Sequence, residues 1–269
     1  VKFTLQGNEV YAYTGGRLFD ASRPCVVFIH GAQHDHSVWI LQSRYLAHHG
    51  FSVLALDLPG HGRSGGPPLV SVEAMAAWVL EVLRACNVAN ATLVGHSMGS
   101  LIALEAAANA PHSITRIALL ATAYPMQVSK ALLDAATHDE ARAFDMINLW
   151  SHSSADGGFS HKPSSPAPGF NIVWGNRRLM QRQKPGVLLI DFTACNDYRN
   201  GTQAAAAVHC PTLAILGERD QMTPHKSGSE LAGLIERHRI CKIKGAGHAL
   251  MAEAPDEVLD HLFAFLKEP

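Results

Sequence analysis

At 269 residues, with 47% apolar and 17% charged side chains, the chain has the size and balance of a compact protein with a sizeable buried core. Its net charge of -1 comes without a Lys/Arg block, which argues against nucleic acid or an anionic membrane as partner and leaves small neutral or weakly charged ligands. Five scattered cysteines without C-x-x-C spacing speak against a disulfide framework and a thiolate zinc site. With neither a signal-peptide pattern nor an apolar run of membrane-spanning length, the expected location is the cytoplasm.

Residues 1–13 alternate as one or two opening strands, ended by Thr14-Gly15-Gly16. The run 25–29 is continuously apolar, as in a parallel strand covered on both faces, and leads into His30-Gly31-Ala32-Gln33-His34-Asp35. A helix is expected over 38–49, closed by Gly50, and then a strand over 51–57 that stops at Leu58-Pro59-Gly60-His61-Gly62-Arg63-Ser64. Ser71 can cap a helix reaching about residue 85, with Val72, Met75, Trp78, Val79, Val82 and Leu83 on one stripe. A short strand at 91–94, the pentapeptide Gly95-His96-Ser97-Met98-Gly99, an Ala/Leu-rich helix and a buried strand at 117–120 continue the βα alternation.

From about 124 to 201 that alternation lapses. Helices are expected at 129–136, 141–150, 177–183 and 187–198, around a polar, Pro-rich middle; the segment reads as a small helical cap, with 151–169 as a candidate lid. The βα rhythm returns with a strand at 211–216, a helix at 225–237, a strand at 239–243 and a closing helix at 255–267 with Pro255 in its first turn. The organisation expected is a core domain in two parts, 1–123 and 202–269, with the cap at 124–201 between them.

The chemistry concentrates at turns that follow strands. A G-x-S-x-G between strand and helix is a nucleophile elbow: small residues two before and two after Ser97 let strand and helix approach, and the Met98 N–H at a helix N-terminus is available to an oxyanion. A serine hydroxyl needs a base, and the base needs a carboxylate to fix its tautomer. Gly245-Ala246-Gly247-His248 offers His248; Leu216-Gly217-Glu218-Arg219-Asp220 offers Asp220, preferred to Glu218, which lies nearer the strand. His34-Asp35-His36 has metal-ligand chemistry, but alternate loop residues need not converge and no third partner is assured, so no metal is expected. His34 is instead a candidate pocket residue. Trp150, Phe170, Trp174 and Met180 are candidates for an apolar pocket wall, and Arg177, Arg178, Arg182 and Lys184 for either a carboxylate clamp or a solvated face. Gly60, Gly62, Gly65 and Gly66 are not a dinucleotide fingerprint, since no helix begins directly at them.

Five ordered motifs, His30-Gly31, 57–64, the elbow, Gly217-Glu218-Arg219-Asp220 with Met222-Thr223-Pro224, and Gly247-His248 with Glu253-Ala254-Pro255, make the chain resemble the α/β-hydrolase fold superfamily, in its bacterial Ser-His-Asp branch of esterase-like and lactonase-like enzymes. The resemblance spans essentially the full length. It implies a mostly parallel eight-stranded sheet flanked by helices with a helical cap after strand 6, a Ser97–His248–Asp220 triad, Ala32 as second oxyanion donor beside Met98, and no cofactor. Ser100 departs from the family, many of whose members have a second glycine there. Ser97 in place of Asp argues against the dehalogenase and epoxide hydrolase branches. His96 and Ala249, where carbon-carbon bond hydrolases often carry Asn and an aromatic, argue against that branch without excluding it. The function expected is hydrolysis of a carboxylic ester, lactone or thioester of a small, largely apolar substrate. A carbon-carbon bond hydrolase and a non-catalytic ligand receptor are the alternatives, and a homodimer is left open.

Overall fold

The computed structural model describes residues 1–153 and 171–268. Eight strands, β1 (Lys2–Leu5), β2 (Asn8–Tyr13), β3 (Cys25–Ile29), β4 (Ser52–Leu56), β5 (Ala91–His96), β6 (Ile114–Leu120), β7 (Thr212–Gly217) and β8 (His238–Ile243), form one sheet in the order β1-β2-β4-β3-β5-β6-β7-β8. β1 and β2 are antiparallel to their neighbours, and every other pairing is parallel. The continuous apolar runs are the central strands: every residue of β3, β4, β5 and β7 is buried.

Alternation along β3 divides the core into two layers. Val27 and Ile29 pack on the side of α2 (Val72–Ala85), α3 (Met98–Asn109) and α8 (Gly201–Ala207), while Val26 and Phe28 pack on the side of α1 (Ile40–His48), α10 (Leu250–Glu253) and α11 (Pro255–Lys267). Between β6 and β7, α4 (Lys130–His138), α5 (Glu140–Ser151), α6 (Ile172–Met180) and α7 (Val187–Asp197) build a third apolar cluster from Leu132, Ala143, Phe144, Ile147, Met180, Leu188 and Phe192. α9 (His225–Ala232) follows β7.

Most of the sequence-derived elements match, and the differences have local causes. Asp35 accepts a hydrogen bond from Ser37 N and opens a single 3-10 turn, so α1 proper starts only at Ile40. The helix expected at 177–183 begins earlier, at Ile172, because the Asn171 side chain caps it by accepting from Trp174 N. α9 ends at Ala232, short of residue 237, with Gly233 following. α8 was not expected; its Ala run carries no amphipathic signature, and it packs its small residues against α3. The proposed lid at 151–169, like Phe170, falls almost wholly outside the described residues.

The strands aim four loop beginnings at one edge of the sheet: His30 after β3, Ser97 after β5, the 218–220 turn after β7 and the 244–248 turn after β8. Sites in open α/β sheets collect at this carboxyl edge. At β5 the chain turns sharply, and a Cβ on Gly95 would overlap the Gly99 carbonyl, while one on Gly99 would overlap the carbonyls of Ile29 and His30. Gly95→Ala is therefore expected to destabilise the fold by at least the roughly 1–3 kcal/mol typical of overpacking, read as a lower urea midpoint. An unchanged midpoint would show that the elbow can give way.

Candidate active site

Ser97 caps α3 with φ 53° and ψ −120°, in the left-handed half of backbone space that non-glycine residues avoid. Its N–H donates to Leu120 O (2.9 Å), and Ser100 Oγ donates to its carbonyl (2.5 Å), so both sides of the strained residue are tied down. Ser100 also shares a hydrogen bond with Thr122 Oγ1 at 2.8 Å, which gives the departure from glycine a structural use.

After β7, Asp220 Oδ1 accepts from the backbone N–H of Met222 (2.9 Å) and Thr223 (2.8 Å), and Oδ2 accepts from His248 Nδ1 at 2.9 Å. The carboxylate is buried, and burial alone would raise its pKa. The His248 imidazole and the Thr223 donors outweigh that and hold it below the usual range. With Nδ1 carrying the proton toward Asp220, the neutral His248 ring has its lone pair on Nε2. Glu218 is exposed and accepts from Gly245 N instead (3.3 Å), so of the two acids only Asp220 meets the histidine. Thr223 Oγ1 lies 2.7 Å from Asp220 Oδ2, 2.9 Å from Ala121 O and 3.0 Å from His248 Nδ1. Its place in Met222-Thr223-Pro224, three residues after Asp220, is the only sequence signal for this third group.

The His248 loop is anchored from behind. His248 N donates to Ser151 O (2.8 Å), and Glu253 accepts from Gly247 N (3.1 Å) and from Ser153 N (3.0 Å). His96, the residue before Ser97, donates from Nε2 to the His248 carbonyl at 2.9 Å, with the two rings 4.8 Å apart. Burial and the neighbouring His248 push the His96 pKa down to about 3. His96 is thus held neutral at neutral pH.

Ser97 and Thr223 open onto one cavity of about 110 Å³, which is also lined by Ala32, Met126, Leu132, Trp150 and Phe192. None of its described lining residues is Lys, Arg, Asp or Glu. Ala32 and Trp150 of the sequence-derived site residues therefore share this cavity with Ser97, and Met98 is the first residue of α3 directly after it. Trp174 does not share it: it is 63% exposed and lines a separate cavity with Arg142, Leu149 and Arg177. Its place on the outer face of α6 follows from the early start of that helix. Met180 is fully buried inside the third apolar cluster. His34 lies outside the described lining of the Ser97 cavity; its Nε2 bonds Asn176 Oδ1 at 2.7 Å, and burial lowers its pKa. Arg177 pairs with Asp145 (3.2 Å), whereas Arg178, Arg182 and Lys184 form a solvated face.

The only metal-compatible group among the described residues is Asp35, His36 and Asp57. Its atoms already serve the chain: Asp57 Oδ1 accepts from His36 N and Nδ1 (both 2.7 Å), Asp57 Oδ2 from Arg63 N (2.8 Å), and Asp35 Oδ1 from Ser37 N (2.8 Å). All five cysteines are free thiols, and no described helix is long and apolar enough to cross a membrane.

A family profile described as the alpha/beta hydrolase fold matches residues 24–255. RutD of Agrobacterium fabrum, whose assigned name is that of a carbamate hydrolase, is 26% identical over 92% of this chain and 94% of its own length. The bifunctional biotin biosynthesis protein BioHC of Teredinibacter turnerae is also 26% identical over 92% of this chain, which there spans 45% of the longer protein. Among solved structures, a thermophilic esterase superposes with a TM-score of 0.80 at 25% identity, covering 99% of this chain and 96% of its own. The enol-lactonase of Burkholderia xenovorans LB400 does so with a TM-score of 0.85 at 24% identity, covering all of both chains. The chain belongs to the α/β hydrolase fold family and is a hydrolase of that fold.

The buried His96 gives a pH test. Its folded pKa near 3 lies below the 6.5 of an unperturbed histidine, so the stability it contributes is fully present above 6.5 and is lost as the pH falls from 6.5 toward 3. One such proton contributes up to about 1.4 kcal/mol per pH unit, so His96→Asn should flatten the acid limb of the urea midpoint by a measurable fraction of that slope. Parallel limbs for wild type and variant would contradict the burial argument.

Proposed function

We propose that the protein is a serine hydrolase that cleaves a carboxylic ester of a small, uncharged acyl group through an acyl-enzyme on Ser97. The observation that carries this reading is the Asp220–His248 hydrogen bond at 2.9 Å, joined through Thr223, which contacts both, to the wall of the cavity that holds a serine at φ 53°. In this reading His248 Nε2 removes the Ser97 proton as the hydroxyl attacks the carbonyl carbon. The N–H groups of Met98, at the N-terminus of α3, and of Ala32 receive the oxyanion. The imidazolium formed is stabilised by the ionised Asp220 and protonates the departing alcohol. Water then enters and attacks the acyl carbon as His248 takes its proton, and His248 returns that proton to Ser97 Oγ as the carboxylic acid leaves. The likeness to a thermophilic esterase at 25% identity supports the class. Lactones and thioesters fit the same steps, because each presents an acyl carbonyl with an oxygen or sulfur leaving group.

The cavity limits the acyl group. At about 110 Å³ it is smaller than the roughly 150 Å³ apolar void that takes up benzene, and its described walls offer no counter-ion to a carboxylate. Short neutral acyl chains are expected to fit.

Two outcomes check the proposal. In a series of aryl esters, kcat/KM should peak at an acyl chain of about two to five carbons and fall for longer ones, as the cavity size implies. A maximum at long chains would contradict it. Ser97→Ala and His248→Ala should each lower kcat by about 10⁶, the loss shown when members of such a triad act as a unit, and retention of more than a tenth of wild-type turnover by Ser97→Ala would sink the mechanism.

A further inference from the structure

The loop that carries Ala32 is held from outside the core. His34 N donates to Gly31 O (3.3 Å), closing a turn with Ala32 and Gln33 at its centre, and Gln33 has φ 58°. A positive φ at the third residue is the type II arrangement, which normally asks for Gly or Asn. Gln33 has a Cβ, so something else must hold the peptide in this orientation. That partner is Asp191 of α7, whose Oδ2 accepts from Gln33 N at 2.8 Å although the two residues are 158 positions apart.

Asp191 is itself held. The same Oδ2 accepts from His61 Nε2 at 2.9 Å, and both side chains are essentially without solvent contact. His61 Nδ1 faces Pro59 O at 3.0 Å, so both ring nitrogens face acceptors, an arrangement that favours the imidazolium. Burial alone would lower the His61 pKa, but the Asp191 carboxylate raises it above its ordinary value. Three further bonds join the same parts: Gln33 Nε2 to Met180 O (3.1 Å), Gly62 N to Gln183 Oε1 (2.8 Å) and Gln183 Nε2 to Asp35 Oδ2 (3.2 Å). Thus the helices between β6 and β7 bind the loops after β3 and β4 through a dry polar latch, centred on the residue next to Ala32.

Resting on the serine hydrolase reading above, we propose that Asp191 is a positioning residue: with His61 it fixes the Gln33 peptide in the type II turn, and the turn in turn fixes the Ala32 N–H where the oxyanion forms. Asp191 touches no reacting atom. Its effect is on the transition state, because the donor it places is needed most when the carbonyl oxygen becomes charged.

The test uses the full chain with Asp191→Ala, Asp191→Asn and the double variant Asp191→Ala/Gln33→Gly, checked for folding by circular dichroism. Kinetics are read with a short-chain aryl ester and inhibition with methylboronic acid, whose tetrahedral serine adduct places an oxygen in the same position as the oxyanion. Asp191→Ala should lower kcat by about ten- to hundredfold, less than the 10²–10³ for outright loss of an oxyanion donor, with KM within about threefold. Methylboronic acid affinity should fall by a similar factor, and Asp191→Asn, which keeps an acceptor oxygen, should lose less. Gln33→Gly, which adopts a positive φ without strain, should restore much of the turnover to Asp191→Ala. Folded Asp191→Ala with kcat within twofold of wild type overturns the proposal, as does a kcat loss in it without a matching loss of boronic acid affinity. Failure of the serine reading is separate: it would appear as turnover persisting in Ser97→Ala, whatever Asp191 does.

Discussion

The site depends on one close approach of backbone to backbone. Where β5 passes into α3, Gly95 lies against the Gly99 carbonyl and Gly99 lies against the end of β3, at distances no side chain would allow. This closeness lets Ser97 occupy the turn at a positive φ, on the wall of the cavity and with α3 beginning directly behind it. The same contact ties the Ser97 turn to the β3 loop, so the proposed oxyanion donors from two loops are held relative to each other by glycine backbone. The strain at Ser97 is held by hydrogen bonds on both sides, from Ser97 N to Leu120 O and from Ser100 Oγ to Ser97 O.

Electrostatics around this turn favour a single mobile positive charge. His248 is paired with a carboxylate kept ionised by two backbone donors and the imidazole. The neighbouring rings of His96 and His34 are both pushed toward the neutral form by burial, with the His248 charge acting in the same direction. A second imidazolium beside His248 would oppose the charge that the proposed mechanism creates there. Keeping the neighbours neutral while their N–H groups still bond, His96 to the His248 carbonyl and His34 to Asn176, combines positioning with low charge.

Local signals carried most of the fold and marked the turns that gather at the candidate site. Continuous apolar runs marked β3, β4 and β5 because burial on both faces leaves no polar alternation, and the elbow was legible because close packing demands glycine at two fixed offsets. Asp220 and His248 could be chosen because each follows a strand within a Gly-bearing turn. The less legible features are those set by tertiary contact. Nothing around His61 or Asp191 announces their pairing across 130 positions, and Trp174 was placed by hydrophobicity alone, whereas the Asn171 cap starts α6 early and leaves that ring on its outer face. Thr223 stands in the motif Met222-Thr223-Pro224, but its contact with both Asp220 and His248 is set by the tertiary fold.

The most direct test of the account is to look for the acyl group itself. Wild-type protein mixed with a short-chain aryl ester and acid-quenched within one turnover, then digested and weighed by mass spectrometry, should carry the acyl mass on the peptide containing Ser97, and Ser97→Ala should carry none. Ester turnover without any such adduct under conditions where deacylation is slowed, or an adduct on another residue, would contradict the Ser97 acyl-enzyme.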